Sequence, residues 1–462
     1  MGTMGKNLSL NFANKGFKLF LFNRHVPNKE VDVAKNFISQ FQLQNTASGF
    51  DHLESFIRAL PTPRIILILL PAGEATSSLL ESIIPLLQPG DILMDGGNAH
   101  YKDTEKRIPQ FQSAGIEFLG VGISGGESGA RNGPAIMPGG NPTAYQKVAQ
   151  ILETVAAQNY KGKPCCKYTG KGGSGHFVKM VHNGIEYAEM QLIAEVYSIM
   201  RNEFLLSPEA IAEVLESWNQ SDFQSYLLKI TCDILRYSEN GILILDTISD
   251  QADQKGTGSW TTIAACELGV PVPTLTAALN ARLISCYKRS RVAADLVYKP
   301  FFSSNSETTL TVLRKVYNVS RIINHIQGFH LIETASKHYR WEIQTADVAA
   351  TWTNGCIIQS GLMQEFAEII HENTPYITSP EITQRLQQVI PEFGQFLSAI
   401  IPGHLPLPCM ESAWTYLKSF AQAESSANLI QAQRDYFGAH TYRRKDDPDG
   451  PAVHTYWQKN TF

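Results

Sequence analysis

Short apolar runs alternate with segments of helical period between residues 17 and 125. The runs are continuous enough in apolar character to predict strands that are covered on both faces. Strands that alternate with helices indicate an α/β domain, in which helices lie on both sides of a mostly parallel, doubly wound sheet. The four runs that predict strands are residues 17–22, 64–70, 91–94 and 116–121.

The pattern changes at Gly175, beyond which strand signals stop and long stretches such as residues 177–202 and 208–235 carry the helical period. This change predicts a large all-helical domain. From Leu429 on, aromatic, basic and turn-forming residues are mixed, which is typical of a tail that lies on a surface. The predicted organisation is an α/β domain over residues 1–174, an all-α domain over 175–428 and a C-terminal tail over 429–462.

The composition is that of a globular protein, since 43% of the 462 residues are hydrophobic and 18% are charged. A formal net charge of −4 gives no general electrostatic reason to bind nucleic acid or acidic lipid. No apolar run approaches the roughly 18 residues that span a bilayer, and the N-terminus lacks the pattern of a signal peptide. We therefore expect a cytosolic protein without a nucleic-acid or membrane partner.

The seven cysteines are an odd number, widely spread, and include the adjacent pair Cys165 and Cys166. They show neither the CxxC spacing of a metal site nor a compact disulfide framework. We therefore expect reduced thiols, mostly buried, and we predict no metal site.

The first residues, Met1-Gly2-Thr3-Met4-Gly5, are similar to the second half of a dinucleotide-binding fingerprint. In that fingerprint, glycines allow a tight turn and a helix N-terminus meets a pyrophosphate. A predicted helix over residues 4–14, a stop at Gly16 and the strand over 17–22 follow. The motif alone is weak evidence, because an ordinary surface helix cap would explain it equally well.

The strand over residues 17–22 ends in Asn23-Arg24-His25. In dinucleotide-binding folds this strand end contacts the adenosine ribose, where an acidic residue suits NAD and an arginine suits the 2′-phosphate of NADP. Arg24 therefore points to NADP. The alternative is a solvated arginine at the end of a strand.

No strand precedes the first glycine turn, although the first strand of this fold lies at the centre of the sheet, between strands two and four. Its loss would leave two unpaired ladders inside the domain. Each unsatisfied buried backbone group costs roughly 1–3 kcal/mol, so the total could exceed the net stability of a domain. We expect a start site assigned about ten residues too late, enough for one strand and a turn; direct pairing of strands two and four would contradict the structural part of this hypothesis.

Two glycine-rich loops follow predicted strands, at the carboxyl ends where ligands bind in open α/β sheets. The first is Asp95-Gly96-Gly97-Asn98, and the second runs from Gly122 to Gly126. Paired glycines allow backbone to approach a ligand closely, and an amide or a hydroxyl can hydrogen-bond a sugar acid. Either loop could be only a turn. The candidate ligand contacts are Asn98, Ser124, Gly125 and Gly126.

The strongest signal is the segment from Gly175 to Tyr187, in which four polar residues share one helix face. Lys179, His182, Asn183 and Glu186 stand at positions i, i+3, i+4 and i+7, and the remaining residues are largely apolar. Such a helix should be buried, where charge is costly unless it is paired or used. The alternative is a solvated stripe joined by a Lys–Glu pair. The functional interpretation is an acid/base pair in which desolvation helps Lys179 to lose a proton.

Further basic residues suit an anion, although spacing alone does not show that they meet. They are Lys255 in a small-residue loop, Arg282, and, in the tail, Arg434 and His440.

Six segments together resemble the 6-phosphogluconate dehydrogenase family over nearly the whole chain. They are residues 95–98, Ser124-Gly125-Gly126-Glu127, residues 137–140, 176–187 and 254–258, and the tail segment 431–442. The resemblance implies an N-terminal Rossmann-like domain and a homodimer whose tail reaches the partner's active site. It also implies a metal-independent oxidative decarboxylation of 6-phosphogluconate to ribulose 5-phosphate, with NADP as the hydride acceptor.

The resemblance also implies roles for individual residues. Lys179 matches the general base that takes the 3-hydroxyl proton, and Glu186 matches the acid that protonates C1 of the enediol. The implied substrate contacts are Asn98, Ser124, Gly125, Gly126, His182, Asn183, Tyr187, Lys255, Arg282, Arg434 and His440. The implied cofactor contacts are Gly2, Thr3, Met4, Asn23, Arg24, His25, Leu70, Pro71, Ala72 and Asn98.

Two departures from the family pattern limit what is carried over: the first fingerprint glycine and its strand are missing, and Pro71 stands where lysine is common. The segment Asn23-Arg24-His25 differs from the usual Asn-Arg-Thr only at its last residue. NADP remains the expected cofactor, with NAD as the alternative. Two other functions stay open: a related β-hydroxyacid dehydrogenase acting on a small unphosphorylated acid, and a non-catalytic dimer that binds the substrate without productive cofactor binding.

Overall fold

The structure is a computed structural model that describes residues 1–253, 256–298, 308–370 and 375–457. Its strands are β1 (Leu19–Phe22), β2 (Ala47–Phe50), β3 (Ile65–Ile68), β4 (Ile92–Asp95), β5 (Glu117–Ser124), β6 (Ala135–Gly140), β7 (Ser238–Glu239) and β8 (Ile242–Leu243). Its helices are α1 (Thr3–Asn14), α2 (Val33–Gln40), α3 (Leu53–Ala59), α4 (Glu74–Ile83), α5 (Tyr101–Ser113), α6 (Gly126–Asn132), α7 (Pro142–Val155), α8 (Ser174–Asn202), α9 (Pro208–Asn219), α10 (Tyr226–Arg236), α11 (Ile244–Thr247), α12 (Thr257–Glu267), α13 (Pro273–Ser285), α14 (Lys288–Val297), α15 (Leu310–Tyr339), α16 (Thr345–Thr351), α17 (Gly361–Ile369), α18 (Pro380–Ile400), α19 (Pro408–Phe420) and α20 (Ala427–Gly438).

Parallel pairing organises the N-terminal strands. β1 pairs with β2, and β3, β4 and β5 pair in succession, all in parallel, while β6 runs antiparallel to β5. The four strands expected from the apolar runs are present as β1, β3, β4 and β5, and the expected first helix is α1, so the α/β prediction is confirmed. β2 and β6 were missed because they contain glycine or proline, which weaken a strand signal.

This sheet is divided between β1 and β3. In the described part of the chain, β1 pairs only with β2, and β3 begins a separate sheet with the order β3-β4-β5-β6. One of the four β1 residues, Leu21, is buried, whereas all four residues of β4 are. The expected gap at the centre of the sheet is confirmed, and the direct pairing that would have contradicted it is not formed. The explanation by a late start site stays a prediction.

Helix α8 lies against β5 and β6 on one side and against α12, α13 and α15 on the others. Glycines of β5 allow this close approach. A Cβ at Gly120 would lie 2.8 Å from His176 Nδ1, and a Cβ at Gly122 would lie 2.5 Å from Lys179 Cβ. Every residue of α8 from Ser174 to Ile185 is buried, so Lys179, His182 and Asn183 of the polar stripe lie inside the protein, whereas Glu186 is partly exposed.

In the described residues from α8 onward, helices dominate, as predicted, with one exception. β7 and β8 form a short antiparallel hairpin around Asn240 and Gly241, whose φ angles are 51° and 78°. Positive φ angles at both central residues are what a tight two-residue hairpin requires, and Asn-Gly adopts them readily. The prediction of a purely helical second part is corrected at this point.

The internal contacts divide the chain into two compact units, Met1–Ala413 and Trp414–Phe462. The domain limits expected from the sequence, after residues 174 and 428, stay predictions. All seven cysteines are free thiols and five are buried, as expected, while Cys266 and Cys286 are exposed. Among the described residues, no helix has the length and apolar character needed to cross a membrane.

Candidate active site

Three polar residues of α8 form one hydrogen-bonded group. Lys179 Nζ donates to Asn183 Oδ1 at 2.7 Å and lies 3.4 Å from His182 Nδ1. The side chains fall together because i, i+3 and i+4 share a helix face. All three residues are at least 92% buried, with exposed fractions of 7% for Lys179, 0% for His182 and 8% for Asn183. The predicted stripe is therefore a buried polar cluster.

His182 links this cluster to the end of β5. Its Nε2 lies 3.1 Å from Ser124 Oγ, while its Nδ1 lies 3.3 Å from Asn183 Oδ1 and 3.4 Å from Lys179 Nζ. Burial, reinforced by the nearby Lys179 charge, holds the pKa of His182 well below its ordinary value. His182 is therefore neutral, and it connects Lys179 to the loop that carries Ser124.

Lys179 and Glu186 have pKa values shifted in opposite directions. Burial lowers the pKa of Lys179, against the attraction of Glu186 and a smaller influence of Cys356. Burial raises the pKa of Glu186, against the attraction of Lys179 and Arg282. A lowered lysine pKa favours the neutral amine and a raised carboxyl pKa favours the protonated acid, which are the forms that act as base and acid.

A small cleft opens beside Lys179 and Asn183. Asn98, from the loop after β4, lines it together with Trp260 of α12 and His176 of α8. The cleft thus brings together three of the residues predicted from the sequence. His176 and Trp260 were not predicted, since a single aromatic after a small-residue loop and a histidine on an apolar helix are more often core residues.

His176 holds the Asn98 loop in place. Its Nε2–H donates to the carbonyl of Asp95 at 3.0 Å, and its Nδ1 accepts from Thr104 Oγ1 at 2.6 Å. The Asp95 carboxylate in turn accepts from the backbone N–H of Gly97 at 3.0 Å and from Arg107 at 3.1 Å. The glycine-rich loop is therefore fixed from both sides, which sets the position of the neighbouring amide.

A cation lies near the other end of the stripe. The Arg282 guanidinium lies 3.7 Å from the ring centroid of Tyr187, a cation–π geometry that keeps the guanidinium beside the helix. A Cβ at Gly258 would lie 2.5 Å from this tyrosine ring. Arg282 and Tyr187 therefore adjoin the Glu186 end of the site. Lys255 lies outside the described residues.

The predicted cofactor contacts lie at the edges of the divided sheet. Arg24 follows β1, its side chain is 72% exposed, and one of its nitrogens lies 3.7 Å from Glu30. The N-terminal ammonium donates to Asn23 Oδ1, so the start of the chain lies beside this strand end. His25 Nδ1 lies 3.9 Å from Asp51. The exposed guanidinium is available to an anion.

The loop after β3 lies next to the loop after β4. A Cβ at Gly97 would lie 2.5 Å from the Leu70 carbonyl oxygen, so the two loops touch through backbone. Pro71 and Ala72 are exposed, and Thr76 Oγ1 donates to the Pro71 carbonyl at 2.8 Å. Gly2 precedes α1 in an extended conformation, with no side chain capping the helix. The free N–H groups of that helix start suit a phosphate.

Arg434 and His440 belong to the unit Trp414–Phe462. Both are exposed, and Arg434 Nη1 donates to Gln431 Oε1 at 3.0 Å. The His440 ring lies 5.8 Å from the Phe437 ring, centroid to centroid. Both basic side chains are thus presented on the outside of the tail.

Family models match both parts of the chain. The model of the 6-phosphogluconate dehydrogenase C-terminal domain matches residues 175–457, and the model of the NAD binding domain of 6-phosphogluconate dehydrogenase matches residues 1–170. The chain belongs to the 6-phosphogluconate dehydrogenase family. The resemblance drawn from the sequence is thereby confirmed.

Relatives in this family align over almost the full length. The decarboxylating 6-phosphogluconate dehydrogenase of Chlamydia pneumoniae is 41% identical, with 99% of this chain and 96% of the relative covered. The enzyme of Bacillus subtilis (strain 168), described as NADP(+)-dependent and decarboxylating, is 39% identical, with 99% of this chain and 98% of the relative covered.

The 6-phosphogluconate dehydrogenase of Plasmodium falciparum, solved in its apo form and in complexes with its cofactor NADP+ and its substrate 6-phosphogluconate, has the same fold. The TM-score is 0.93 at 34% identity, with 99% of this chain and 98% of that chain covered. The fold prediction, a Rossmann-like domain followed by a large helical domain, is confirmed by this likeness to a member of the family.

Proposed function

We propose that this chain oxidises and decarboxylates 6-phosphogluconate to ribulose 5-phosphate and CO2, with reduction of NADP to NADPH. The observation that carries the proposal is the buried group on α8, in which Lys179 is bonded to Asn183 and the pKa values of Lys179 and Glu186 shift in opposite directions. The family and the names of its aligned members support the same reaction.

Lys179 is the base of the first step. Burial lowers its pKa, which favours the neutral amine that can take the proton of the substrate 3-hydroxyl. Asn183 fixes the amine, at 2.7 Å. NADP, when bound, supplies the hydride acceptor for C3. The protonated lysine then donates to the new 3-keto oxygen.

A β-keto acid loses CO2 readily once its carbonyl is polarised, because the enediol that forms takes up the electron pair. A lysine ammonium beside the carbonyl does this without a metal. Glu186, whose pKa is raised by burial, keeps a proton to give to C1 of the enediol. Lys179 gives its proton to the 3-keto oxygen as CO2 leaves and takes it back from the enediol hydroxyl as Glu186 protonates C1. Each turnover thus leaves a protonated lysine and an ionised glutamate, and proton exchange restores the pair.

The remaining predicted residues hold the sugar acid. Asn98, Ser124, Gly125, Gly126, His182 and Asn183 contact its carboxylate and hydroxyls, and Tyr187, Lys255 and Arg282, with Arg434 and His440 of a second copy, hold chiefly its phosphate. Arginine pairs with phosphate through a planar fork. The exposed guanidinium of Arg434 and the guanidinium of Arg282 beside Tyr187 support this assignment.

The residues on the cofactor side fit NADP in part. Arg24 is exposed at the end of β1, where it suits the 2′-phosphate, and Asn23 and His25 flank it. Gly2, Thr3 and Met4 begin α1, whose free N–H groups suit the pyrophosphate. The other predicted contacts, Leu70, Pro71, Ala72 and Asn98, lie on the two touching loops.

A homodimer completes the site in this proposal. The segment that carries α12 to α14 leaves large apolar side chains exposed, as is typical of an interaction surface, among them Ile263, Ile284, Tyr287, Leu296 and Tyr298. The tail then supplies Arg434 and His440 to the partner. A cytosolic location stays a prediction from the sequence.

Absorbance at 340 nm, with purified chain, 6-phosphogluconate and NADP, tests the proposal. We expect NADPH formation and equimolar CO2 release, with a far smaller rate on an unphosphorylated hydroxy acid. Turnover of the unphosphorylated acid without competition by 6-phosphogluconate would favour a related β-hydroxyacid dehydrogenase. Calorimetric binding of 6-phosphogluconate without binding of NADP would favour the non-catalytic dimer.

A further inference from the structure

Asp435 is a fully buried carboxylate in the C-terminal unit Trp414–Phe462, most of whose described residues are exposed. It lies on α20, and its exposed fraction is 0%, although residues on either side of it along the helix are exposed. Buried carboxylates are rare unless they are paired or hydrogen-bonded. Its burial therefore depends on the groups that hydrogen-bond to the carboxylate.

Four donors converge on this carboxylate, two on each oxygen. Oδ1 accepts from the Thr441 backbone N–H at 3.0 Å and from His454 Nδ1 at 2.8 Å. Oδ2 accepts from the Thr455 backbone N–H at 3.0 Å and from Trp457 Nε1 at 2.8 Å. Asp435 therefore ties the end of α20 to the returning segment of the tail.

The hydrogen bonds also decide the charge of Asp435. Burial by itself opposes ionisation, but the donors of Thr455, His454 and Trp457 outweigh it and lower the pKa of Asp435 to about 2. The group is thus a carboxylate at every pH at which the protein works. An amide of the same shape could accept on one oxygen only, since its nitrogen is a donor.

One of these bonds fixes the backbone at Thr441, directly after His440. Ala439 and Thr441 have φ angles of 50° and 57°, a left-handed conformation that is strained for a non-glycine residue. Two residues of α20 hold Thr441 there: Asp435 binds its N–H, and Gln431 Nε2 donates to its carbonyl at 2.6 Å. Gln431 also accepts from Arg434. Thr441, next to His440, is therefore held by Asp435 and Gln431, and Gln431 also binds Arg434, so the two exposed basic side chains are connected through these contacts.

We propose that Asp435 is a positioning residue for substrate phosphate: it holds the tail loop so that Arg434 and His440 meet the phosphate together. The inference rests on the proposed function, in which these two residues of one subunit complete the site of the other. Asp435 itself stays buried and touches no substrate.

The test is Asp435→Asn in the full-length protein, assayed with NADP over a range of 6-phosphogluconate concentrations. We expect the KM for 6-phosphogluconate to rise about tenfold or more, the effect of losing a good phosphate contact, with kcat within about twofold of the starting protein and the KM for NADP unchanged. Asp446→Asn is the matched control, because Asp446 is an exposed aspartate of the same tail, paired with Arg444. It should change neither constant.

The changes in KM and kcat together distinguish a positioning role of Asp435 from a role in folding. A loss of folded protein lowers kcat with the KM unchanged, and that result would overturn the proposal, as would unchanged kinetics. If Asp435→Asn does not fold, Trp457→Phe tests the proposal instead, because this variant removes one of the four donors and keeps the carboxylate. A raised KM for 6-phosphogluconate then supports the proposal and an unchanged KM overturns it. Absence of turnover in the unaltered protein would instead mean that the proposed function has failed.

Discussion

The two sides of the predicted site differ in how firmly the fold holds them. On the catalytic side, every residue of α8 from Ser174 to Ile185 is buried, and hydrogen bonds connect its polar stripe to β5. On the cofactor side, β1 and β3 belong to separate sheets, and three of the four residues of β1 are only partly buried. The chemistry therefore lies on a rigid element and the cofactor site on a loosely constrained one.

The polar contacts of the two sides differ in the same way. Lys179 is bonded inside the protein, where losing a partner leaves a buried group unsatisfied. Arg24 and Glu30 form a solvent-exposed pair at 3.7 Å, and such pairs contribute roughly 0–1 kcal/mol. A buried hydrogen-bonded network can therefore hold an acid/base pair in place even where the neighbouring sheet is divided.

The largest effect is expected on the rigid side. Lys179→Met removes the base and the proton donor, so we expect turnover to fall by about 10⁴-fold, the upper range for acid–base groups, while the protein stays folded. Initial rates measure the turnover, and circular dichroism measures whether the protein is folded. Lys171→Met, at an exposed lysine that pairs with Glu342, is the control and should keep its activity; retained activity in Lys179→Met would overturn the assignment of the base.

The next effect is expected at the gap between β1 and β3. An added N-terminal segment of about ten residues, long enough for one apolar strand and a turn, could pair with both open edges. On the order of eight new hydrogen bonds at ~0.5 kcal/mol each would raise the free energy of unfolding by about 4 kcal/mol. Thermal unfolding and NADP titration measure the gain. A glycine-serine extension of equal length is the control, and equal behaviour of the two would show that the gap takes no strand.

A smaller, pH-dependent effect is expected within the helical core. Glu195 accepts from the backbone N–H groups of Cys409 and Met410, at 2.8 and 3.0 Å, at the start of α19. Burial raises its pKa from 4.5 to about 7, against these hydrogen bonds and one from Gln191. The folded state therefore binds the proton more tightly than the unfolded chain, so this stabilisation is complete below pH 4.5 and is lost as the pH rises through 7.

Glu195→Gln removes this titration and keeps an acceptor. Denaturant unfolding between pH 4.5 and 8 should show the starting protein losing at most about 3 kcal/mol relative to the variant. Gln191→Ala keeps the carboxyl, so the pH dependence should persist in that control. Parallel pH profiles for the starting protein and Glu195→Gln would contradict the raised pKa.

The smallest effect is expected at the exposed end of β1. Arg24→Ala should weaken NADP binding about tenfold, since one charge-assisted contact is worth roughly 1.5 kcal/mol, and should leave NAD binding unchanged. Calorimetric titration of both cofactors measures the difference. Arg58→Ala, at another exposed arginine in an ion pair with Glu54, provides the comparison; equal losses for NADP and NAD in Arg24→Ala would argue against a 2′-phosphate contact.

The α8 group could be predicted from the sequence because helical spacing alone puts Lys179, His182 and Asn183 on one face. Apolar neighbours then predict its burial. The alternative of a solvated stripe is wrong, since these residues are almost fully buried. The strand ends that carry Asn98 and Ser124 were predicted for a similar reason: continuous apolar runs mark buried parallel strands.

What could not be predicted depends on contacts between distant segments. Trp260 and His176 reach the cleft only through the packing of α12 and of the Asn98 loop, for which no local pattern exists. β6 contains Pro138, Gly139 and Gly140, which suppress the strand signal although the whole strand is buried. Asp435 lies within the tail segment 431–442 that resembles the family, but its burial could not be predicted, because its four donors lie 6 to 22 residues further along the chain.

The divided sheet also bears on how long such a protein would persist in a cell. The predicted cofactor contacts lie on both sides of the division, at Arg24 after β1 and at Leu70 after β3. A ligand that binds only the folded chain adds RT ln(1 + [L]/Kd) to its stability, about 2.7 kcal/mol at one hundred times Kd. We therefore expect the abundance of this chain to follow the supply of its coenzyme, with proteases removing whatever the dinucleotide pool does not protect.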